Sequence, residues 1–429
     1  MERYDGRLGE LTERYVAAHP RSRALMEQAG QHLPGGNTRS VLHFEPFPLV
    51  MESGWADRLR DVDSSEYIDC AGEFSAGLYG HSDPTIRAAI EAALDNGLVL
   101  GAPNRYEARL AELIAQRFPS LEQMRFCNSG TEANLLAVMT ARIVTGRDSI
   151  LVFSGAYHGG VLSYPTGGNA MNVPLDVVMT PFNDVESFTS VMSQQGPKIA
   201  AVLVEPVLGA AGNMVASQEF LEALRKLTRD HGALLIFDEV KTSRLGEGGM
   251  QGRTAITPDM TTLGKYLGGG LSFGAFGGTR HVMERFDPGH PDALKHAGTF
   301  NNNPLSLAAG IAGLREVFTR ERAEEFLSIS ERFREELASE LKRRGLPVQV
   351  SGLGSILSLH YGETLPRNAE AVHPATMKLR RLVHLDCLEK GVYLTARGDI
   401  FLSLPMTEGT LTHLKDSLVA SAESEVAYL

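Results

Sequence analysis

The sequence predicts an α/β protein, with a mostly parallel sheet between helices and a smaller α+β domain drawn from both termini. Three observations carry this expectation. The apolar runs at 150–153, 199–204 and 234–237 are short and unbroken, as strands buried on both faces of a parallel sheet must be. Segments with helical periodicity, such as 220–230, lie between them, the alternation expected of helices packed on a parallel sheet. After about residue 315 the pattern changes to one long amphipathic helix followed by short strands.

Taken in order, residues 5–33 read as helix, interrupted near Pro20 and ended by Pro34-Gly35-Gly36, residues that stop a helix. An extended arm follows, and 57–70 reads as a hairpin turning at Asp63-Ser64-Ser65. Residues 105–118 form a helix with Leu110, Leu113, Ile114 and Phe118 on one face. A short strand at 124–127 leads into a helix over 132–144. At 325–344, Phe326, Ile329, Phe333, Leu337 and Leu341 recur at three- and four-residue spacing, and Gly345 and Pro347 end the helix. Short strands follow at 348–350, 356–359 and 400–404. The expected division is an N-terminal helix, arm and part of the small domain at 1–70, a large domain at 71–315, and a C-terminal small domain at 316–429.

Composition excludes several classes. Hydrophobic residues make up 43% of the chain and charged residues 22%, the balance of an ordinary globular protein. The formal net charge is −11 and no basic block stands out, which argues against nucleic-acid binding. Cys70, Cys127 and Cys387 are far apart in sequence and form neither a disulfide framework nor a metal-ligand spacing. No stretch approaches the length of a membrane span, and the charged N-terminus has no apolar core of a signal peptide. The expectation is a soluble, cytoplasmic protein.

Ligand sites in such a sheet lie outside the C-terminal ends of its strands. That rule gathers 128–130, 154–158, Glu205 and Asp238 around one crevice. Ser129-Gly130-Thr131-Glu132 opens a helix and reads as a capping box, but free N–H groups at a helix start also suit a phosphate. Tyr157 at the rim could stack on a planar ring or simply cap the core. Asp238 ends the 234–237 strand, where a carboxylate is either a structural hydrogen-bond acceptor or the partner of a protonated pyridine nitrogen. Lys265 lies between Thr261-Thr262-Leu263-Gly264 and Gly268-Gly269-Gly270, a setting unlike an exposed helix face. A Schiff-base lysine needs its amine deprotonated by burial or a neighbouring cation. Gly264-Lys265 lacks the flanking residues of a phosphate-binding P-loop. Gly270-Leu271-Ser272-Phe273-Gly274 lacks the preceding strand that a hydrolase nucleophile requires.

The segments FCNSGTEAN (126–134), FSGAYHGG (153–160), VLVEP (202–206), LLIFDEVKTSR (234–244), TTLGKYLGGG (261–270), FGAFGG (273–278) and HAGTFNNNP (296–304) resemble, in order and spacing, the class III aminotransferases. The resemblance covers nearly the whole chain, and it implies a fold-type I pyridoxal-phosphate enzyme with a mostly parallel, seven-stranded-type sheet. It implies pyridoxal 5'-phosphate as cofactor, Lys265 as the Schiff-base lysine and proton shuttle, and Asp238 at the pyridine nitrogen. Val240 and Tyr157 would flank the ring, and Ser129, Gly130 and Thr131 would hold the phosphate. Thr299 would reach the neighbouring subunit's phosphate, implying a homodimer with shared sites. Glu205 would lie near the ring hydroxyl, with Asn183 close by.

Within the class the chain resembles β-amino-acid aminotransferases and glutamate-1-semialdehyde aminomutases. Arg39 in GGNTRSV matches an arginine that binds a substrate carboxylate in both, and Arg397 in TARGDIFLSLP matches a second arginine of the β-amino-acid group. AGTFNNNP, SRLGEGG and YHGGVLSY depart from the aminomutase pattern and favour the β-amino-acid group. The implied reaction transfers the amino group of an amino acid to a keto acid such as 2-oxoglutarate or pyruvate. An aminomutase is the first alternative, and a non-catalytic binding module of the same fold the second. Lys241 replaces the methionine common after DEV, and the sequence gives no account of its effect.

Overall fold

The computed structural model describes residues 2–429, which divide into two compact units. One comprises Pro84–Ser328 and Arg367–Ala371. Its centre is a seven-stranded sheet of Gln123–Cys127 (β1), Ser149–Phe153 (β2), Asp176–Thr180 (β3), Ile199–Val204 (β4), Leu234–Asp238 (β5), Met260–Gly264 (β6) and Gly274–Gly278 (β7). The spatial order is β1, β7, β6, β5, β4, β2, β3. β2 to β6 pair in parallel, while β7 runs antiparallel to both β6 and β1. The unbroken apolar runs are therefore central strands, and every residue of β2 and β4 is buried.

Phe153, Phe182, Phe188 and Phe220 pack beneath the sheet, with Phe153 and Phe220 edge to face at 5.1 Å. Burying each such ring contributes about 1.5–3 kcal/mol. Phe220 belongs to the Gln218–His231 helix, capped by Ser217 and closed by Gly232 in the left-handed conformation. The first covering helix, Gly130–Thr145, begins two residues earlier than the 132–144 pattern predicts, because the helix starts at its glycine.

The second unit comprises Met1–Asp83, Ile329–Pro366 and Val372–Leu429. Its helices Glu2–Ala18 and Pro20–Ala29 meet at His19, with Pro20 at the first helical position. Arg58–Asp61 and Glu66–Asp69 form the expected hairpin, flanked by Met51–Trp55 and by the parallel strand Val392–Tyr393. Val348–Leu353, Ile356–Tyr361 and Asp399–Phe401 make a three-stranded antiparallel sheet. Leu11, Tyr15, Tyr67, Leu382 and Leu385 form a core cluster.

The divisions fall after Asp83 and Ser328, not at 70/71 and 315/316. Residues 70–83 stay with the hairpin because Phe401 N donates to Cys70 O (2.8 Å), Leu404 N donates to Leu78 O (2.9 Å), and His81 bridges Ala56. Residues after 315 stay with the large sheet's unit because Phe318 packs on Tyr266 at 5.6 Å and Arg117 donates to Phe318 O.

Candidate active site

The C-terminal ends of β2, β4, β5 and β6 bring most of the expected residues together. Ser129 caps the Gly130–Thr145 helix, accepting from Glu132 N at 3.2 Å. The reciprocal half of the capping box is not made. Glu132 instead accepts from Asn128 N at 2.7 Å, one residue before the cap. The first-turn N–H groups of a helix have no intrahelical acceptor, so this end offers hydroxyl and amide donors to an anion. Gly130 has a reason the sequence did not reveal. A Cβ there would lie 2.7 Å from Val240 Cγ1, so the glycine lets Val240 pack on the helix start.

Asp238 is buried and held by three N–H donors. Asn134 Nδ2 and His158 Nδ1 reach its Oδ2 at 2.8 and 2.7 Å, and Val240 N reaches Oδ1 at 3.0 Å. Asn134 is itself fixed, donating to His158 O (3.0 Å) and accepting from Thr262 Oγ1 (2.6 Å). Thr262 stands opposite Asp238 in the β5–β6 register. His158 Nε2 is buried and makes no hydrogen bond. Asn134 and Thr262 were missed in the sequence, and His158 was gathered at the crevice without a role. The signal for His158 was its place beside Tyr157 at a strand rim; nothing local marks the other two, whose roles depend on facing across the sheet.

Glu205 ends β4 and accepts from Tyr157 N at 2.9 Å and Gly209 N at 3.2 Å. Burial pushes its pKa up, His158 opposes this, Asp238 adds to it, and the Tyr157 N–H and Lys241 oppose it further. Tyr157 bridges Ser163 and leaves its ring half exposed. Lys265 directly follows β6 with φ 56°, a left-handed conformation costing a non-glycine residue on the order of 1–3 kcal/mol. Its neighbour Gly264 sits against the helix start and Val240, since a Cβ there would be 3.4 Å from both Gly130 N and Val240 Cγ1.

Asn183 does not join this group. Its amide donates to Val215 O and Arg367 O at 3.0 Å each and accepts from Ser217 N at 2.9 Å, so it pins loops. Thr299 is exposed in an irregular segment. Gly270–Gly274 contains a turn before β7, not a strand followed by a serine, which removes the hydrolase motif.

Arg39 and Arg397 belong to the other unit and meet at one aromatic ring. Arg39 pairs with Glu73 and lies 5.4 Å from the Phe74 ring centroid. Arg397 pairs with buried Asp399 through Nε (3.0 Å) and Nη2 (2.9 Å) and lies 5.0 Å from the same centroid. Arg397 is therefore not a solvated loop charge. Glu73 and Phe74 also escaped the sequence reading. Their backbone is unusual: Gly72, Glu73, Phe74 and Ser75 have φ of 50°, 47°, 51° and 77°, a left-handed turn that costs roughly 1–2 kcal/mol per non-glycine residue. Asp69 supports its start, accepting from Gly72 N at 2.9 Å.

An anion-binding helix end, a buried acid at a strand terminus and a lysine in a glycine-bounded turn fit phosphate, pyridine nitrogen and aldehyde respectively. They define the fold-type I class, and the cofactor is pyridoxal phosphate.

The chain belongs to the class-III aminotransferases, the family matching residues 43–407. It is 43% identical to the β-phenylalanine transaminase of Variovorax paradoxus, over 95% of this chain and 94% of that protein. A solved β-phenylalanine aminotransferase from the same organism has a TM-score of 0.97 at 42% identity, covering 99% of this chain and 98% of that chain. Glutamate-1-semialdehyde 2,1-aminomutase 2 of Bacillus licheniformis is 34% identical, over 93% of this chain and 96% of that protein.

Proposed function

We propose that this aminotransferase takes the amino group of a β-amino acid and passes it to a keto acid such as 2-oxoglutarate or pyruvate. The observation that carries the reading is the pair of guanidiniums, Arg39 and Arg397, placed about one phenyl ring. Two such cations suit two carboxylates, because a guanidinium binds a carboxylate through parallel N–H donors. The likeness to β-phenylalanine transaminase supports the same substrate class. When bound, pyridoxal phosphate acts as an electron sink for carbanion chemistry.

The protein's part is to bind, orient and move a proton. Ser129, Gly130 and Thr131 hold the phosphate at the helix end, with Thr299 reaching the partner copy's phosphate in a homodimer. Asp238 keeps a proton on the pyridine nitrogen, and Asn134 and His158 hold that carboxylate in place. Val240 and Tyr157 confine the ring between them, and Glu205 sits toward its hydroxyl side. Lys265 carries the proton between donor carbon and cofactor. A reducing cytoplasm is the proposed setting, supported by Cys70, Cys127 and Cys387 being free and buried. Among the described residues no helix is long and apolar enough to cross a membrane.

The test is incubation of the purified protein with β-phenylalanine and 2-oxoglutarate or pyruvate, following glutamate or alanine. Isomerisation of glutamate-1-semialdehyde without any amino transfer to the keto acid would replace this reading with the aminomutase.

A further inference from the structure

Lys241 follows Asp238-Glu239-Val240 directly, and its surroundings give it a task. Its Nζ donates to Asn213 Oδ1 at 2.5 Å. Asn213 is fully buried with φ 56°, at the end of the turn joining Val207–Leu208 to Met214–Val215. Gly209 opens that turn, accepting at its carbonyl from Gly212 N (3.0 Å) and Asn213 N (3.2 Å). A Cβ on Gly209 would lie 2.8 Å from Lys241 Nζ and 3.0 Å from Glu205 Oε1. The ammonium and the carboxylate therefore crowd one point and stand within about 6 Å of each other, the range in which an opposite charge favours ionisation.

We propose that Lys241 is a positioning residue of the cofactor site. Its ammonium, gathered with Glu205 against Gly209, favours the carboxylate form of Glu205, and Glu205 in turn fixes the backbone of Tyr157 at the crevice rim. The part that concerns Tyr157 and the ring rests on the function proposed above; the pairing of Lys241 with Glu205 does not.

The charged groups acting on Glu205 come from two segments. His158 lies beside Tyr157, Asp238 ends β5, and Lys241 follows it. Burial and Asp238 favour the neutral acid, while His158, the Tyr157 N–H and Lys241 favour the anion. Protonation occurs as pH falls through the pKa, so removing Lys241 moves that event up the pH scale, towards neutrality. A neutral acid accepts more weakly from Tyr157 N than a carboxylate does, and the rim tyrosine loosens.

The experiment compares wild-type holoenzyme with Lys241→Met, Lys241→Gln and Lys241→Arg. Glutamine can still donate to Asn213 but carries no charge, so it separates tying the turn from ionising Glu205. Infrared difference spectra at neutral pH should show a protonated carboxylic C=O band in the Met and Gln variants, absent from wild type and Arg, and abolished by adding Glu205→Gln. The acidic limb of cofactor retention should rise by about one pH unit in the two neutral variants and return in Lys241→Arg. Lys241→Gln matching wild type in both readouts would overturn the proposal, reducing Lys241 to a loop tie. Should Lys241→Met fail to fold, Lys241→Gln alone decides between these outcomes. Transamination of a β-amino acid by wild type tests the proposed function separately, because the carboxyl band does not depend on which substrate is used.

Discussion

The two sets of functional residues are built in opposite ways. Around Asp238 the side chains of Asn134, His158 and Thr262 are buried and the contacts over-determined: one carboxylate holds three N–H donors, and one of those donors is fixed by two further bonds. Around Phe74 the arginines are partly exposed, one is paired with a more exposed Glu73, and the backbone at 72–75 is left-handed over four residues. Rigid placement suits a step in which the same atoms react each time. An adaptable, strained surface suits a site that must accept an amino donor and then a different keto acid. Under the proposed function, the chemistry falls to the rigid set and the choice of substrate to the adaptable one.

Breaking the rigid set should have the largest effects. Lys265→Ala is expected to abolish the near-visible absorbance of the lysine-bound cofactor and to lower kcat at least about a thousandfold. Retention of the band in the purified variant would mean that another amine holds the cofactor. Asp238→Asn keeps the shape but removes the charge facing the pyridine nitrogen, and should lower kcat by roughly 10²–10³-fold. The asparagine must turn its NH2 towards Val240 N or towards the Asn134 and His158 donors, so the melting temperature should also fall; calorimetry beside kinetics separates lost chemistry from lost folding.

The adaptable set should respond in KM instead. Arg397→Ala and Arg39→Ala each remove charged hydrogen bonds worth about 1.5–3 kcal/mol, so KM for one carboxylate substrate should rise roughly ten- to a hundredfold. Steady-state kinetics with donor and acceptor varied in turn will assign each arginine to a substrate. Equal effects of both variants on both substrates would dissolve the assignment.

How far each set was legible in the sequence follows from the same contrast. β2, β4 and β5 announced themselves because central parallel strands are uninterrupted apolar runs, and Asp238 and Lys265 stood out at strand ends near glycines. Asn134 and Thr262 did not, and His158 was placed at the crevice without a role, since they act across neighbouring strands and a helix, and no local spacing records that. Gly130 was read as part of a phosphate site, and its missing Cβ also makes room for Val240 Cγ1. Asn183 was placed by resemblance near the cofactor, yet its amide is consumed by three backbone partners. The Gly72–Ser75 turn was invisible because Glu73, Phe74 and Ser75 lack any intrinsic preference for positive φ. Only tertiary support such as Asp69 reveals it.

That turn also supplies the finest test of the contrast. Glu73 offers Arg39 a carboxylate from the protein itself, so a substrate carboxylate must compete with it. Both partners of this ion pair are solvated, and exposed pairs are worth at most about 1 kcal/mol. Glu73→Gln should therefore lower KM for the substrate that uses Arg39 by no more than about fivefold, with kcat unchanged. The same substitution in an Arg39→Ala background should do nothing, because the competition it relieves is gone. An equal gain in that background would place the effect of Glu73 in the left-handed turn and its support of Phe74, moving the adaptable element from the ion pair to the backbone.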